Sequence, residues 1–355
     1  MQLGLIGLPQ SGKTTVFNAL TGANLPLNMS TGRVEVHTAV VKVPDPRVDA
    51  LAERFGSRKR TYATVTYADV AGLSGKASGE LPGALRNILQ QMDAFVHVVR
   101  AFPNPNVPHP LGHVAPQRDV ELLEQELLLH DLMTVERRLE RLKEERQKGA
   151  RPKEVIAREE ALFQRLHQAL SQDIPLRAIE LSADEARLLR GFGLLTRKPM
   201  LLLLNLDDEG EPPEIVLPHP QRTKVAWLRG RLEMELAQMD PEDAAYFREE
   251  FGLTETGQAR LIRLSYELLD RITFYTVGEK EARAWSLPRG STALDAAAAI
   301  HTDMAKGFIR AEVIPFDELM RLGDWATARS QGKIRLEGKD YVIQDGDVLL
   351  IRFAG

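Results

Sequence analysis

Residues 7–14 read GLPQSGKT, a motif from which the architecture of the first part of the chain can be predicted. It satisfies the pattern G-x-x-x-x-G-K-[ST], with a strand-like apolar run at 2–6 before it and a helix-like run at 14–20 after it. Glycines let successive backbone N–H groups curl around a phosphate, a lysine adds positive charge, and the N-terminus of the following helix attracts the anion. The stretch therefore predicts a P-loop that holds the phosphates of a nucleoside triphosphate.

The positions of this loop have separate expected roles. Lys13 supplies charge to the phosphates and is a candidate catalytic residue, and the hydroxyl of Thr14 is a candidate Mg²⁺ ligand. Nucleotide contacts are expected along the whole loop, from Gly7, Gln10, Ser11, Gly12, Lys13, Thr14 and Thr15.

A second motif, D-x-x-G, begins at Asp69 and ends at Gly72, directly after a strand-like run at 62–68. In P-loop proteins the aspartate of this motif holds Mg²⁺, usually through water, and the glycine amide meets the γ-phosphate. Asp69 is therefore a candidate metal ligand, and Gly72 is a candidate catalytic residue.

A third motif, NLDD at 205–208, follows the non-alternating apolar run at 199–204, which predicts a strand buried on both faces. Nucleotide bases are read at the carboxyl ends of such strands, so Asn205, Leu206 and Asp208 are candidate base contacts. The lysine of the GTPase pattern NKxD is replaced by Leu206, which leaves both ATP and GTP open.

The remaining sequence predicts an α/β region interrupted by helices. Leucines and a valine recur at spacings of four and three residues in 118–147, which is typical of a coiled-coil seam; they are Leu128, Leu132, Val135, Leu139 and Leu142. A break at 148–152 precedes a second stretch in which Val155, Leu162, Leu166 and Ala169 continue the seam. We expect an antiparallel helical hairpin here, and a hairpin of strands around the turn Asp345-Gly346 near the C-terminus.

Composition excludes several classes of protein. The chain of 355 residues has no cysteine, so disulfides, thiolate nucleophiles and Cys-ligated zinc are ruled out. Its net charge of −4 excludes a globally basic coat for nucleic acid. No apolar stretch reaches the length of a membrane span, and the N-terminus has no basic region or cleavage site of a secretory signal, so we expect a cytoplasmic protein.

The chain resembles the YchF/Obg-like ATPase family of translation-factor-class P-loop NTPases over almost its whole length. The resemblance is carried by the P-loop stretch 7–21, by VPDPRVDAL at 43–51, by DVAGL at 69–73 and by VHVVR at 96–100. It extends through the helical hairpin to KEARAW at 280–285, HTDMAKGFIRAE at 301–312 and GKDYVIQDGD at 338–347. These C-terminal stretches look like the TGS domain of the family, a small β-grasp module.

The resemblance implies an α/β P-loop NTPase domain of the GTPase-like kind with an inserted antiparallel helical hairpin and a C-terminal β-grasp TGS domain. The expected boundaries are 1–117 and 195–270 for the two parts of the NTPase domain, 118–194 for the helical insertion and 272–355 for the TGS domain. It also implies Mg²⁺-dependent hydrolysis of ATP or GTP by a monomer whose partners are the ribosome, at its large subunit, and rRNA. The residues near the hairpin turn carry positive charge and are candidate rRNA contacts: Arg146, Lys148, Arg151 and Lys153. The favoured alternative is a solvated charged face, because Glu144, Glu145 and Glu154 lie alongside.

The chain departs from the family pattern at several positions. Asp208 stands where the family has glutamate, and Gln10 stands where it has the P-loop asparagine, so the base preference and a potassium requirement both stay open. The switch segment 28–36 lacks the usual pattern, and Ser30 or Thr31 replaces the Mg²⁺-binding threonine only after a shift in register. Arg229, Gly230 and Arg231 stand where the family has its base-flanking SAK sequence.

Leu73 follows Gly72 at the position where Ras-like enzymes use a glutamine to orient water, so hydrolysis is slow or uses a group from elsewhere. The candidate is His109, in a proline-rich loop at 101–117, which we expect to approach the γ-phosphate when the loop closes; the alternative is an exposed loop histidine without function. Three functions stay open: a slow NTPase switch, a nucleotide-gated binding protein with vestigial hydrolysis, and a small-molecule kinase. The TGS-like end and the absence of an evident Arg-rich lid disfavour the kinase.

Overall fold

The strands of the structure are β1 Gln2–Ile6, β2 Val36–Lys42, β3 Lys59–Thr61, β4 Thr64–Val70, β5 Ala94–Ala101, β6 Met200–Leu206, β7 Thr223–Leu228, β8 Arg271–Val277, β9 Glu281–Pro288, β10 Phe308–Pro315, β11 Arg335–Glu337 and β12 Asp347–Phe353. The strands predicted around the P-loop lie in one sheet, in the order β2-β4-β1-β5-β6-β7. In this sheet β1 pairs in parallel with β4 and β5, β5 with β6, and β6 with β7. All positions of β6 are buried, because the middle of a parallel sheet is covered on both faces.

This computed structural model describes residues 1–27, 36–71, 73, 81–149, 151–250 and 255–354. Within these ranges the helices are α1 Lys13–Thr21, α2 Pro46–Phe55, α3 Gly83–Gln91, α4 Pro116–Lys148, α5 Lys153–Leu170, α6 Ala183–Leu188, α7 Gly230–Gln238, α8 Pro241–Glu250, α9 Gly257–Leu268, α10 Ala293–Ile300, α11 Thr302–Lys306, α12 Phe316–Leu322 and α13 Trp325–Ser330. None of the helices in these ranges combines the length and apolar character needed to cross a bilayer.

The contacts divide the chain into two units. The first contains Met1–Val40 and Thr66–Leu264, and the second contains Val41–Val65 and Ser265–Gly355. This division differs from the boundaries predicted above, which place residues 1–117 together, because β3 pairs with β9 and α2 packs in the apolar cluster of the second unit.

One apolar cluster of the first unit lies between its sheet and two helices. Leu85 and Leu89 from α3, and Val120, Leu123 and Leu127 from α4, pack against the inward-facing side chains of β4, β5 and β6. α4 then runs on as the first arm of the predicted helical hairpin, and at about 1.5 Å per residue this 33-residue helix spans roughly 50 Å.

The hairpin is antiparallel, as its cross-helix ion pairs show. Arg146 pairs with Glu160 near the turn, and His167 contacts Glu136 farther down the two helices. The predicted seam residues of α4 lie in its core, but the prediction for the start of α5 is wrong by one position. Val155 is 49% exposed, whereas the next residue, Ile156, is fully buried.

The second unit is a mixed sheet with helices on both faces. Its strand order is β11-β10-β12-β8-β9-β3. α10 packs on one face, and α2, α12 and α13 pack on the other. The predicted strand hairpin around Asp345-Gly346 is wrong: β12 pairs with β10 and β8, while the segment before the turn makes an isolated bridge from Val342 to Thr292.

Candidate nucleotide-binding site

The P-loop lies between the end of β1 and the start of α1, as predicted. Gly12 has φ of 91°, a left-handed conformation that L side chains rarely adopt, and a Cβ there would collide with the Asn205 amide. A Cβ on Gly7 would likewise collide with the Val98 carbonyl of the neighbouring strand β5. Gln10 is exposed and has φ of 62°, so the loop bends without a glycine at that position. The two glycines are therefore required by close approach of the backbone to β5 and β6.

Lys13 folds back over the loop. Its Nζ donates to the carbonyl oxygens of Gly7 at 2.9 Å and of Leu8 at 3.0 Å. Burial lowers the pKa of Lys13 to about 8, and the nearby Asp69 carboxylate opposes this shift. An ammonium group that is costly to keep charged in this position gains a partner when a phosphate enters the loop.

The two candidate Mg²⁺ ligands meet at one point. The Thr14 hydroxyl at the start of α1 donates to Oδ2 of Asp69 at 2.8 Å, and Asp69 is buried at the end of β4. Leu5 of β1 is in register with Asp69, which explains why the two motifs converge at the carboxyl edge of the sheet. A hydroxyl and a carboxylate are oxygen ligands of the kind Mg²⁺ prefers, so this pair fits the predicted metal.

Asn205 connects the P-loop to the segment after β7. Its Nδ2 donates to the Ser11 carbonyl at 3.1 Å, and its Oδ1 accepts from the Gly230 N–H at 3.2 Å. The amide is buried and bonds the polypeptide at both ends, so the observed role of Asn205 is to hold two loops together. Direct contact of Asn205 with a base stays a prediction.

The other two predicted base contacts have different surroundings. Leu206 is buried in the core cluster, and its aliphatic side chain has no polar atom that could bond a base. Asp208 is exposed, and its N–H donates to Oδ1 of Asp207 at 3.0 Å. The pKa of Arg231 is raised first by its hydrogen bond to Glu235 and further by Asp208, so a positive charge lies near the candidate base-reading carboxylate.

Arg100 and Phe102 are site residues that were missed as candidates. Arg100 is buried near the end of β5, where its Nε donates to the Phe102 carbonyl at 3.1 Å and its Nη2 to that of Val107 at 2.8 Å. Its guanidinium lies 4.7 Å from the centre of the Phe102 ring, and this ring borders Gly12. A lone arginine in the strand AFVHVVRA, whose other residues apart from His97 are apolar, was the available signal.

His109 is buried against the first turn of α4, so it is not an exposed loop histidine. Its Nε2 lies 2.8 Å from Oδ2 of Asp119, and its Nδ1 accepts from the Leu111 N–H at 3.1 Å. Because Nδ1 accepts, Nε2 carries the proton in this arrangement. Arg118 donates to the other oxygen of Asp119 at 2.8 Å.

The remaining predicted site residues make no polar contact that can be described at the P-loop. Thr15 lies in α1 and is half-buried. Gly72, Ser30 and Thr31 lie outside the described residues. Leu73 is buried and apolar, so its side chain cannot orient an attacking water.

Two family models match the chain. The model for the C-terminal part of YchF GTPases, described as a protein of unknown function, matches residues 271–354, and a model described as a 50S ribosome-binding GTPase matches residues 2–137.

Relatives match over nearly the full chain. The ribosome-binding ATPase YchF of Pasteurella multocida is 39% identical over 361 residues, which cover 99% of this chain and 98% of the relative. The ribosome-binding ATPase YchF of Bacillus subtilis is 35% identical, with the same coverage of 99% and 98%. The solved structure of the Schizosaccharomyces pombe YchF GTPase matches with a TM-score of 0.82 and 29% identity, over 99% of this chain and 97% of that one. With its P-loop fold and relatives of this similarity along its whole length, the chain belongs to the YchF family.

Proposed function

We propose that this chain is a Mg²⁺-dependent nucleoside triphosphatase that acts as a ribosome-associated regulatory switch. The observation that carries the proposal is the convergence of Lys13, Thr14 and Asp69 at the carboxyl edge of the sheet. The relatives named ribosome-binding ATPases support the partner and the reaction. Contact with rRNA of the large subunit, a monomeric state and a cytoplasmic location belong to the same proposal.

The described residues have separate proposed roles in binding the phosphates, the metal and the base. The P-loop backbone and Lys13 would bind the triphosphate, while Thr14 and Asp69 would hold Mg²⁺, which would supply charge neutralisation for the phosphates. The candidate base pocket lies at the carboxyl end of β6, where the exposed Asp208 offers a carboxylate. ATP and GTP are both candidates, because a carboxylate at this position accepts hydrogen bonds from either kind of base. Competitive titration of ATP against GTP decides between them.

His109 is the proposed group that assists hydrolysis, but it is bonded at both ring nitrogens in this arrangement. We therefore propose that it acts only after leaving Asp119. Single-turnover hydrolysis by His109→Ala at full nucleotide occupancy tests this: a rate equal to that of the parent removes His109 from the mechanism.

A second candidate function is nucleotide-gated binding with vestigial hydrolysis. The buried Leu73 and the engaged His109 favour it, because neither positions an attacking water. Multiple-turnover assays with and without ribosomes separate the two functions. Turnover that ribosomes stimulate supports the switch, and absence of turnover in both conditions supports gated binding.

The nucleotide site itself is tested by Lys13→Ala. Removal of the ammonium takes away the charged donor and leaves the Gly7 and Leu8 carbonyls facing the phosphates, so we expect no measurable binding of ATP or GTP by titration calorimetry. Thr21→Ser, at the far end of the same helix, is the control and should bind as the parent does. Unchanged binding by Lys13→Ala contradicts the proposal.

A further inference from the structure

A cavity of about 310 Å³ lies between α3 and α4, away from the P-loop motifs. Its lining includes four arginines, Arg86 from α3 and Arg137, Arg138 and Arg141 from α4, together with Phe192. We call this site the arginine pocket. A concentration of arginines around one cavity is unexpected in a chain whose net charge is −4.

Arg138, the arginine of the pocket that has carboxylate partners, is described first. Arg138 donates to Glu159 and Glu145, both at 2.7 Å, and its guanidinium lies 5.9 Å from the centre of the Phe192 ring. It therefore fixes the wall of the pocket. Glu145 also lies within electrostatic reach of Arg141, so this carboxylate offsets part of the charge.

Two of the other arginines, Arg86 and Arg141, are less compensated. In the described part of the chain, neither of them forms an ion pair with a carboxylate. Arg137 and Arg141 are four residues apart on α4, so both lie on the same face of the helix. An anion between α3 and α4 therefore meets guanidinium groups from both helices.

The walls of the pocket are held in place by packing. Phe192 packs edge-on against Phe163 of the hairpin core, with ring centres 4.9 Å apart. Gly193 has φ of 60°, and a Cβ there would collide with the side chain of Gln90 in α3. Lys198 donates to the Gln90 carbonyl at 3.0 Å, which fixes the end of α3. The pocket is thus preformed, and a ligand needs little reorganisation to enter it.

The basic residues that the sequence offers at the hairpin turn are a weaker anion site. Arg146 pairs with Glu160, Lys148 lies 3.3 Å from Glu144, and Arg151 lies 2.5 Å from Glu159. The charges of these three residues are compensated within the hairpin, whereas those of Arg86 and Arg141 are not compensated in this way. The fourth basic residue of the turn, Lys153, is exposed and forms no ion pair in the described part of the chain, so it offers a single charge.

We propose that the arginine pocket is a phosphate-binding site separate from the P-loop. Guanidinium groups match phosphate oxygens with two parallel N–H donors, and Asn87 on α3 adds an amide at the rim. The ligand chemistry is a phosphodiester or polyphosphate, supplied either by an RNA strand or by a free phosphorylated molecule. Where RNA is the source, the inference rests on the proposed ribosomal function and assigns one of its contact points.

The test compares the full chain with the double variant Arg86→Gln/Arg141→Gln. The control is Arg158→Gln/Arg165→Gln, which removes two positive charges from exposed positions of α5 in the same hairpin, outside the pocket. The P-loop is first saturated with a non-hydrolysable Mg²⁺-nucleotide. One arm measures the fluorescence anisotropy of a labelled single-stranded RNA dodecamer across a salt series, and the other titrates inorganic pyrophosphate by calorimetry. Thermal unfolding verifies that each variant is folded.

For an RNA ligand, we expect the pocket variant to bind on the order of tenfold more weakly and its salt slope to fall by about 1.4, since each phosphate contact on a single strand contributes about 0.7. The control should retain most of the parent's affinity. For a free ligand, the pocket variant loses only pyrophosphate binding, which equally supports the site. If both probes bind the folded pocket variant and the parent alike, or bind neither, the proposal is overturned.

Two further measurements keep the result interpretable. If the double variant is unfolded, the single variant Arg141→Gln, at an exposed position, repeats the test with half the expected change in slope. Hydrolysis by the parent is assayed separately. A parent that binds RNA through the pocket without hydrolysing nucleotide overturns the proposed NTPase function and leaves the phosphate site standing.

Discussion

At the residue scale, Lys13 makes nucleotide binding depend on pH. Its pKa is about 8 in the nucleotide-free site, and a bound triphosphate favours the charged ammonium and raises this pKa. Lys13 is therefore charged in both states below pH 8, but only the bound state keeps the proton just above it. We expect affinity to fall by up to about tenfold per pH unit above pH 8, until the pKa of the bound state is reached.

Calorimetric titrations between about pH 7 and pH 9.5 measure this effect, since the phosphate protonation near pH 6 lies outside that range. Lys13→Arg is the matched control, because its guanidinium stays charged throughout. It should bind more weakly than the parent but with a flat profile. A parent whose affinity does not change across the range contradicts the assigned role of Lys13.

The proposed release of His109 can be tested at Asp119, which its Nε2 contacts at 2.8 Å. In Asp119→Asn the acceptor becomes a neutral amide, and a hydrogen bond to a charged group is stronger than a neutral one by about 1 kcal/mol. If His109 assists hydrolysis only after release, we expect single-turnover hydrolysis to rise about fivefold in Asp119→Asn. The same substitution in a His109→Ala background should have no such effect. A rate that falls, or that rises without His109, argues that Asp119 acts in another way.

At the scale of elements, the hairpin core is tested by two adjacent residues. Ile156→Ala empties a fully buried position and should lower the free energy of unfolding by about 2–5 kcal/mol. Val155→Ala changes a side chain that is 49% exposed, and its effect should stay within about 0.5 kcal/mol. Urea unfolding followed by circular dichroism compares them. Equal losses of unfolding free energy would contradict the burial of Ile156 and support the register predicted from the sequence.

The register of the hairpin could be predicted from the sequence for α4 but not for the start of α5. The spacing of Leu128, Val135 and Leu142 defines one apolar stripe, so α4 could be predicted together with its buried face. At the start of α5, Val155 and Ile156 are both apolar, and only the path of the preceding turn decides which of them faces α4. The strand hairpin expected around Asp345-Gly346 failed for a related reason, since the turn signal is local while the partners of β12 are distant strands.

The same distinction applies to the candidate site. Strand ends could be read from the sequence, so the meeting of Thr14 with Asp69 could be anticipated from the parallel order of the sheet. Side-chain contacts between residues of different elements could not be predicted in this way. The two hydrogen bonds of Asn205 join residues far apart in sequence, and the burial of His109 depends on an aspartate in the next helix.

At the scale of the whole molecule, the C-terminal unit is built from two separate parts of the chain. Val48, Leu51 and Ala52 of α2 pack with Tyr275 in one apolar cluster, and β3 adds an edge strand beside β9. Polar contacts join the same parts. Tyr275 donates to Asp45, Arg47 lies 3.0 Å from Asp345, and burial raises the pKa of Tyr275.

These contacts predict that residues 265–355 do not fold as an isolated fragment, although they contain the region that matches a C-terminal family model. Without α2, one face of the sheet loses its cover, and each missing buried aliphatic side chain costs about 2–5 kcal/mol, comparable to much of a small domain's stability. Joining residues 41–65 to this fragment through a flexible linker should restore a cooperative thermal transition by circular dichroism. If 265–355 alone unfolds with the same midpoint as the joined fragment, α2 and β3 are dispensable to the unit, and the boundary at 272 predicted from the sequence describes a domain that folds by itself.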